Sequence, residues 1–296
     1  MKNIRIFFFL GIILFPLLLF PQDRKKDIHS PFFYKDDFFV NPIVFYKTDS
    51  SYARLDLYIK IPVKNILFLV NSNNNIFESS FELYVKIDSS NGKVFVNDTY
   101  KEKVNYSGTE MKNHSESYFY YLKKYPQNKG FYKLTVILKD NNANKEYVKY
   151  LDFTVKDMNK NKIFFSDIMV LSDFKMDSIG NKTITPLISD NVSGMKSFYI
   201  FFEIYRNSDS VVNKEYLCTI TDEKNKKIYE SQLFYTMDDF KNKKFEKLFL
   251  YSTEPGILNL KIKDKLTDEI VAEKKLLNFP EGNIKRDLPP DIHRQR

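Results

Sequence analysis

Residues 54–62 read RLDLYIKIP, and the alternation in those nine letters decides the fold class. Leu55, Leu57, Ile59 and Ile61 take one parity, while Asp56, Tyr58 and Lys60 take the other. Successive side chains of a strand point to opposite faces, so this spacing predicts a strand with one apolar and one polar face. The same pattern recurs in FELYVKI, with Phe81, Leu83, Val85 and Ile87 on the apolar side, and in YKLTVILKD, with Leu134, Val136 and Leu138. One-faced strands belong to antiparallel sheets that show their other side to water. KTDSS, NSNNN, DSSNGK and DNNANKE lie between them and supply the Asn, Asp, Gly and Ser of chain reversals. In SESYFYYLKKY, Tyr118, Tyr121, Leu122 and Tyr125 have helical spacing, but the aromatic density and the following Pro126 favour a strand that ends near the proline.

Further along, several landmarks return in the same order. FELY at Phe81–Tyr84 is matched by FEIY at Phe202–Tyr205, and GFYKLTVILKD, ending at Asp140, by GILNLKIKD, ending at Asp264. A last apolar stretch follows each, ending at Val155 and at Phe279. The offset stays near about 120 residues, a span that fits one small β-domain. The expectation is an all-β chain of two tandem immunoglobulin-like antiparallel β-sandwich domains, residues 37–156 and 163–280, related by duplication and joined at KDMNKNK. On this reading Phe81 and Phe202 face equivalent cores and Tyr84 and Tyr205 face outward. A glycine after a proline (Gly130 after Pro126, Gly256 after Pro255) supplies a positive-φ corner before the penultimate strand of each copy.

The two ends read differently. Lys2 and Arg5 precede the apolar run Ile6–Phe20. At about 15 residues that run is short of the roughly 20 a membrane span needs. This is the grammar of a signal peptide, residues 1–22, cleaved near Gln22, with no transmembrane span left after its removal. The expected address is periplasmic, outer-membrane-associated or extracellular. Residues 23–36 form a polar leader and residues 281–296, with Pro289 and Pro290, a flexible tail.

Of the 296 residues, 43% are hydrophobic and 28% charged, which places the chain among globular proteins able to bury a core. The single cysteine, Cys218, cannot close an intramolecular disulfide, so an exported chain must here be held by its cores. Its place in the alternating EYLCTI predicts a buried, inert thiol. The formal charge of +8, which loss of Lys2 and Arg5 lowers by two, is spread over strands and turns. A nucleic-acid binder would gather it on one face, so no nucleic-acid partner is expected.

RLDLYIKIPVKNILFLV, FELYVKID, KGFYKLTVILKD and FFSDIMVLSDF together resemble the β-rich region of GWxTD-domain proteins, exported proteins of Gram-negative bacteria. The likeness spans roughly residues 38–174. The namesake motif is absent, because the chain contains no tryptophan. The resemblance implies an exported β-sandwich protein and brings no catalytic residue.

Catalytic patterns are sparse. The histidines are His29, His114 and His293, at no metal-ligand spacing, so no metal and no cofactor is expected. Asp- and Asn-rich turns such as DNNANKE and SDNVSG offer oxygen ligands for calcium but lack EF-hand spacing. His114 beside Ser115 and Ser117 is the one candidate for hydrolase chemistry, without a G-x-S-x-G turn, and reads as a solvated loop. Asp36–Asp37 and Asp238–Asp239, adjacent in sequence, would point to opposite faces of a strand, which does not suit paired acid–base work. Asp167 and Asp173 read as turn-formers at strand ends.

What remains is aromatic. Phe32, Phe33 and Tyr34 precede the first strand and could dock on a partner, while Tyr58, Tyr84 and Tyr120 on polar strand faces could stack on sugars. The chain is therefore expected to be a non-enzymatic interaction or structural module of the cell envelope, its partner an unknown envelope protein or a glycan. A carbohydrate-binding module using surface tyrosines is the alternative.

Overall fold

The computed structural model describes residues 37–47, 52–157, 163–206, 212–250 and 253–280. The expected signal peptide, leader and tail, with Phe32, Phe33 and Tyr34, lie outside the described residues.

The first half of the described chain runs β1 (Phe39–Tyr46), β2 (Ala53–Pro62), β3 (Leu69–Asn71), β4 (Ile76–Ser89), β5 (Val94–Ser107), α1 (Gly108–His114), β6 (Tyr118–Gln127), β7 (Gly130–Asp140) and β8 (Lys145–Val155). Sheet A has the order β1-β2-β6. Sheet B runs β5-β4-β7-β8, with β3 beside the start of β4. The second half runs β9 (Ile163–Phe165), β10 (Met169–Met176), β11 (Lys182–Pro186), β12 (Ser197–Arg206), β13 (Val212–Thr221), β14 (Lys227–Met237), β15 (Lys241–Phe249), β16 (Gly256–Asp264) and β17 (Ile270–Asn278). Sheet C is β11-β10-β12-β15, with β9 also on β12, and sheet D is β14-β13-β16-β17.

All strand pairings among the described residues are antiparallel, and each half is an immunoglobulin-like sandwich. The alternation written in the sequence builds both cores. Leu55, Leu57, Ile59 and Ile61 of β2 meet Phe81, Leu83, Val85 and Ile87 of β4 in the first, and Phe198, Ile200, Phe202 and Ile204 of β12 meet Cys218 and Ile220 of β13 in the second. Each such aliphatic side chain contributes about 1.5–3 kcal/mol on burial. The tyrosine-rich SESYFYYLKKY forms β6, which runs through Pro126 to Gln127 instead of stopping before it; as an edge strand it tolerates the missing donor.

The internal repeat needs correction. Phe81 lies on β4 of sheet B and Phe202 on β12 of sheet C, so the FELY and FEIY strands are not equivalent. By strand order β12 corresponds to β2, and β13 to β4. Asp140 pairs with Phe81 and Asp264 with Tyr216, so Tyr216 is the counterpart of Phe81. Tyr205 is fully buried, not outward, while Tyr84 is half-buried. Four letters of period-two pattern report which face is buried, and several strands of one sandwich share that pattern.

The later landmarks do coincide. Asp140 and Asp264 end β7 and β16, and each Oδ1 accepts two backbone N–H groups of the turn that follows. For Asp140 the donors are Asn142 and Ala143, both at 3.0 Å; for Asp264 they are Leu266 at 2.9 Å and Thr267 at 3.2 Å. Of the two glycines, Gly130 has a positive φ (150°) and Gly256 does not.

One irregularity positions the seam between the two sandwiches. β9 and β10 share the same edge of β12, but Ile204 faces Phe165 while Phe201 faces Met169, so the register slips by one residue across Ser166–Ile168. Such a bulge re-aims a side chain, and the side chain re-aimed here is Asp167.

Candidate interaction surface

The outer faces of sheets A and C are not solvated as one-faced strands should be. Asp56, on the polar parity of β2, is only 3% exposed. Ile43 and Phe45 of β1 pack with Met169 and Leu171 of β10 and Phe201 of β12, with Tyr58 against them, so the two sandwiches share a third small core. Phe45 and Phe201 have ring centroids 5.9 Å apart. The guanidinium of Arg54 lies over Phe45 and grips Asp56 in a fork, with N–O distances of 2.6 and 3.0 Å.

Beside this apolar patch runs a polar and aromatic seam. The N–H of Val44 donates to Asp167 Oδ2 at 2.8 Å, and its carbonyl accepts from the Asp167 N–H at 3.1 Å. Burial pushes the Asp167 carboxyl above the ordinary range, against the pull of the Val44 N–H, Lys274 and Lys156. Tyr46, Phe164 and Tyr205 close on one another with centroid distances of 5.0 to 5.6 Å. The Tyr205 hydroxyl donates to Glu203, which pairs with Lys241 at 2.8 Å, and accepts the Tyr46 N–H at 2.9 Å. The Tyr46 hydroxyl in turn accepts the Lys156 N–H at 3.0 Å, where the chain leaves the first sandwich. Burial pushes the Tyr46 phenol to about 12, so it stays a neutral donor and acceptor. A third group, Asn41, Asp190 and Lys274, bridges the sandwiches at separations of 2.9 to 3.0 Å.

Away from the seam the aromatic character continues into solvent on both sides. On sheet A, Lys60 lies over Tyr118 at 3.7 Å, and Tyr120 and Leu122 are 61% and 44% exposed. On sheet C, rings run from Phe201 to Phe245 (4.7 Å), to Phe174 (4.5 Å) and to Tyr199 (5.6 Å). Lys182 lies over Phe245, and Lys247 over Tyr199 and Phe249. Chemically this is a stripe of partly accessible rings edged with ammonium groups, suited to burial against a partner with apolar or acidic groups.

The tyrosines singled out in the sequence do not converge. Tyr58 and Tyr120 share the outer face of sheet A, where Tyr58 is half-buried in the seam and burial raises its phenol to about 12. Tyr84 stands on the outer face of sheet B, with its hydroxyl donated to Glu82. Ser117 Oγ is 3.4 Å from His114 Nδ1, yet its better contact is 2.7 Å to the His114 carbonyl, and the His114 ring is stacked on Tyr106.

The other sequence-level candidates serve the fold. Asp238 and Asp239 act through their carbonyls, which accept from Arg206. Asp167 docks the sandwiches and Asp173 pairs with Lys175 at 2.8 Å, so neither forms the turn expected of it. Cys218 is buried, and its thiol is raised to about 12 by that burial. Among the described residues no group of His, Cys, Asp and Glu is arranged to hold a metal. A hollow of about 260 Å³ beside Gly194, Leu250 and Pro280 contains one strongly buried polar group, Asn278, already satisfied by Thr253 and Glu254.

Sequence reasoning missed Phe174, Tyr199, Phe201 and Phe245. The signal for Tyr199 and Phe201 was in SFYIFFEIYR, where both parities are apolar: Phe198, Ile200, Phe202 and Ile204 on one side, Tyr199, Phe201 and Tyr205 on the other; Phe174 and Phe245 carried no such local signal. A strand apolar on both parities is covered on both faces.

The chain is thus an all-β protein of immunoglobulin-like sandwiches with an aromatic stripe across their joint. No family model matches it, and no curated protein does. Among solved structures it has distant likeness to red sea bream transglutaminase, at 4% identity, covering 82% of this chain and 31% of that one with a TM-score of 0.24. A glycosyl hydrolase family 2 member from Bacteroides cellulosilyticus aligns at 6% identity, covering 76% and 28%, with a TM-score of 0.28. The Amycolatopsis orientalis exo-chitosanase CsxA gives 8%, 80% and 26%, with a TM-score of 0.20. The chain spans less than a third of the length of each, and scores at this level say nothing of activity.

Proposed function

We propose that the protein is an exported, non-enzymatic interaction module of the cell envelope that engages a partner protein through the aromatic stripe on the outer faces of sheets A and C. The observation that carries this reading is the contrast in exposure along one surface. Rings sealed at the seam share the outer faces of sheets A and C with rings open to solvent, Tyr120 (61% exposed) on one side and Phe249 (46%) on the other. Accessible aromatics contiguous with a buried patch are the usual composition of an interface centre. The lysines lying over Tyr118, Phe245 and Tyr199 cover ring faces that a sugar would need, which favours a protein over a glycan.

Photo-crosslinking in the native envelope tests this, with a photoreactive residue at position 120 and, as control, at position 84 on the opposite sheet. A discrete protein adduct from position 120 alone is expected. Equal adducts from both positions would overturn the proposal. Saccharide binding on a glycan array, lost in Tyr120→Ala, would replace it with the carbohydrate-binding alternative.

A further inference from the structure

Asn41, Asp190 and Lys274 differ from the other polar contacts of the seam, because together they make up a set of reacting groups. Asn41 belongs to β1 of the first sandwich and Lys274 to β17 of the second, while Asp190 follows β11 and touches both. Lys274 Nζ lies 2.9 Å from Asn41 Oδ1 and 2.9 Å from Asp190 Oδ2, and Asn41 Nδ2 donates to Asp190 Oδ1 at 3.0 Å. The partners dictate the amide orientation. An ammonium only donates and a carboxylate only accepts, so Oδ1 must face Lys274 and Nδ2 must face Asp190. Asn41 is 4% exposed, and the side chains of Lys274 and Asp190 are 16% and 17% exposed. An ion pair alone would need no amide between its members. Here the amine is held against the amide carbonyl oxygen, with a proton carrier bonded to both the attacking and the leaving nitrogen.

We infer that Lys274 and Asn41 form an isopeptide bond that staples the two sandwiches together, with Asp190 carrying the proton. Asp190 takes a proton from the Lys274 ammonium, and the freed lone pair attacks Asn41 Cγ to form the Nζ–Cγ bond. Charge collects on Oδ1 in the tetrahedral intermediate. Asp190 then delivers its proton to Nδ2, the Cγ–Nδ2 bond breaks, and the carbonyl re-forms. The departing ammonia takes the second surplus proton of Nζ through the Asp190 carboxylate, so one hydrogen stays on the new amide nitrogen, ammonium leaves, and Asp190 ends as the carboxylate it began as. Nothing is oxidised or reduced, and no further reactant is required.

Three features serve this chemistry. Holding amine and acyl group in contact replaces a bimolecular encounter with a local one, which is a large part of any such barrier. Burial pushes the Asp190 carboxyl above the ordinary range, against the pull of Lys274 and Asn41, which favours the protonated form needed for delivery. The Asp190 backbone is pinned in the left-handed region (φ 52°), with its N–H on the Leu187 carbonyl at 3.0 Å and its carbonyl on the Leu277 N–H at 2.8 Å. Its carboxylate is therefore fixed relative to the strand that carries Lys274. Asp167, which senses both Lys274 and Lys156, is a further charge close to Lys274.

Tryptic digestion of the purified, denatured full chain followed by mass spectrometry decides it. The expected product is a branched peptide joining the Asn41 and Lys274 segments, at their summed mass less one ammonia, absent in Asn41→Ala and Lys274→Arg. The arginine variant keeps the positive charge, so a staple and a simple ion pair separate there. In Asp190→Ala the linked fraction should fall at least tenfold. Recovery of both wild-type peptides unlinked overturns the inference, and so does a link that has lost water instead, which would join Lys274 to Asp190. The wild-type digest alone is sufficient, so poor folding of a variant does not blunt the test, and its outcome is independent of any partner on the aromatic stripe.

Discussion

Sheets A and C turn their outer faces toward each other, and sheets B and D turn theirs to water. All four are built from strands that alternate in period two, yet the outer residues differ in kind. On sheet B the exposed parity holds Glu82 paired with Lys101 at 3.4 Å and Lys86 with Asp88 at 2.9 Å, and on sheet D Lys265 pairs with Glu215 at 2.9 Å. Such exposed pairs contribute about 0–1 kcal/mol. On A and C the same parity holds Ile43, Phe45, Leu171 and Phe201, with Glu203, only 3% exposed, committed to Tyr205 and Lys241. Alternation marks a strand; the content of its second parity says whether another sheet lies beyond it.

The sharpest way to break this contrast is to remove matched tyrosines. Tyr205→Ala should lower stability by about 3–5 kcal/mol, the cost of emptying a buried aromatic site, whereas Tyr84→Ala on sheet B should cost less than about 1 kcal/mol. Urea unfolding midpoints measure both, and equal losses would mean that the seam is no more than a crystal-like touching of surfaces. Next in size, Glu203→Ala strips the Tyr205 hydroxyl of its buried acceptor and should cost about 1–3 kcal/mol in the same assay.

A smaller effect separates two carboxylates by the sign of their pH response. Asp167 in the seam has its folded pKa raised, so its contribution is present when it is protonated at low pH and is lost as pH rises through that folded value. Asp264 on sheet D is the opposite case. Burial works to raise it, but Lys214 and the Leu266 and Thr267 N–H groups outweigh burial and hold it low. Its contribution is present above the ordinary range and is lost as pH falls through the folded value. Stability profiles of Asp167→Asn and Asp264→Asn, each subtracted from wild type, should slope in opposite directions. Least of all, Lys265→Ala should move the midpoint by no more than about 0.5 kcal/mol, since its pair with Glu215 is half in water.

The cores were legible in advance because Leu55–Ile61, Phe81–Ile87 and Leu134–Leu138 write their burial locally. The turn carboxylates Asp140 and Asp264 were legible as strand ends for the same reason. The seam was not, because its members are distant in sequence: Val44 meets Asp167, Tyr46 meets Tyr205, and Asn41 meets Asp190 and Lys274. Each alone reads as an ordinary turn or strand residue. The matching of Phe81 to Phe202 failed because burial parity constrains the letters of a strand more tightly than its address in the sheet. Only the partners, Asp140 opposite Phe81 and Asp264 opposite Tyr216, identify equivalent strands.

The bulge at Ser166–Ile168 also bears on the order of events during synthesis. Among the described residues β1 pairs only with β2, and the Val44 N–H and C=O on its far side are occupied by Asp167. A chain made from its N-terminus presents β8, the last strand of the first sandwich, before it presents Asp167. During that interval β1 is a bare strand edge, open to pairing with a neighbouring copy. One aspartate placed just past the joint thus acts as the chain's own built-in escort, covering the Val44 backbone groups on that edge once the second sandwich forms.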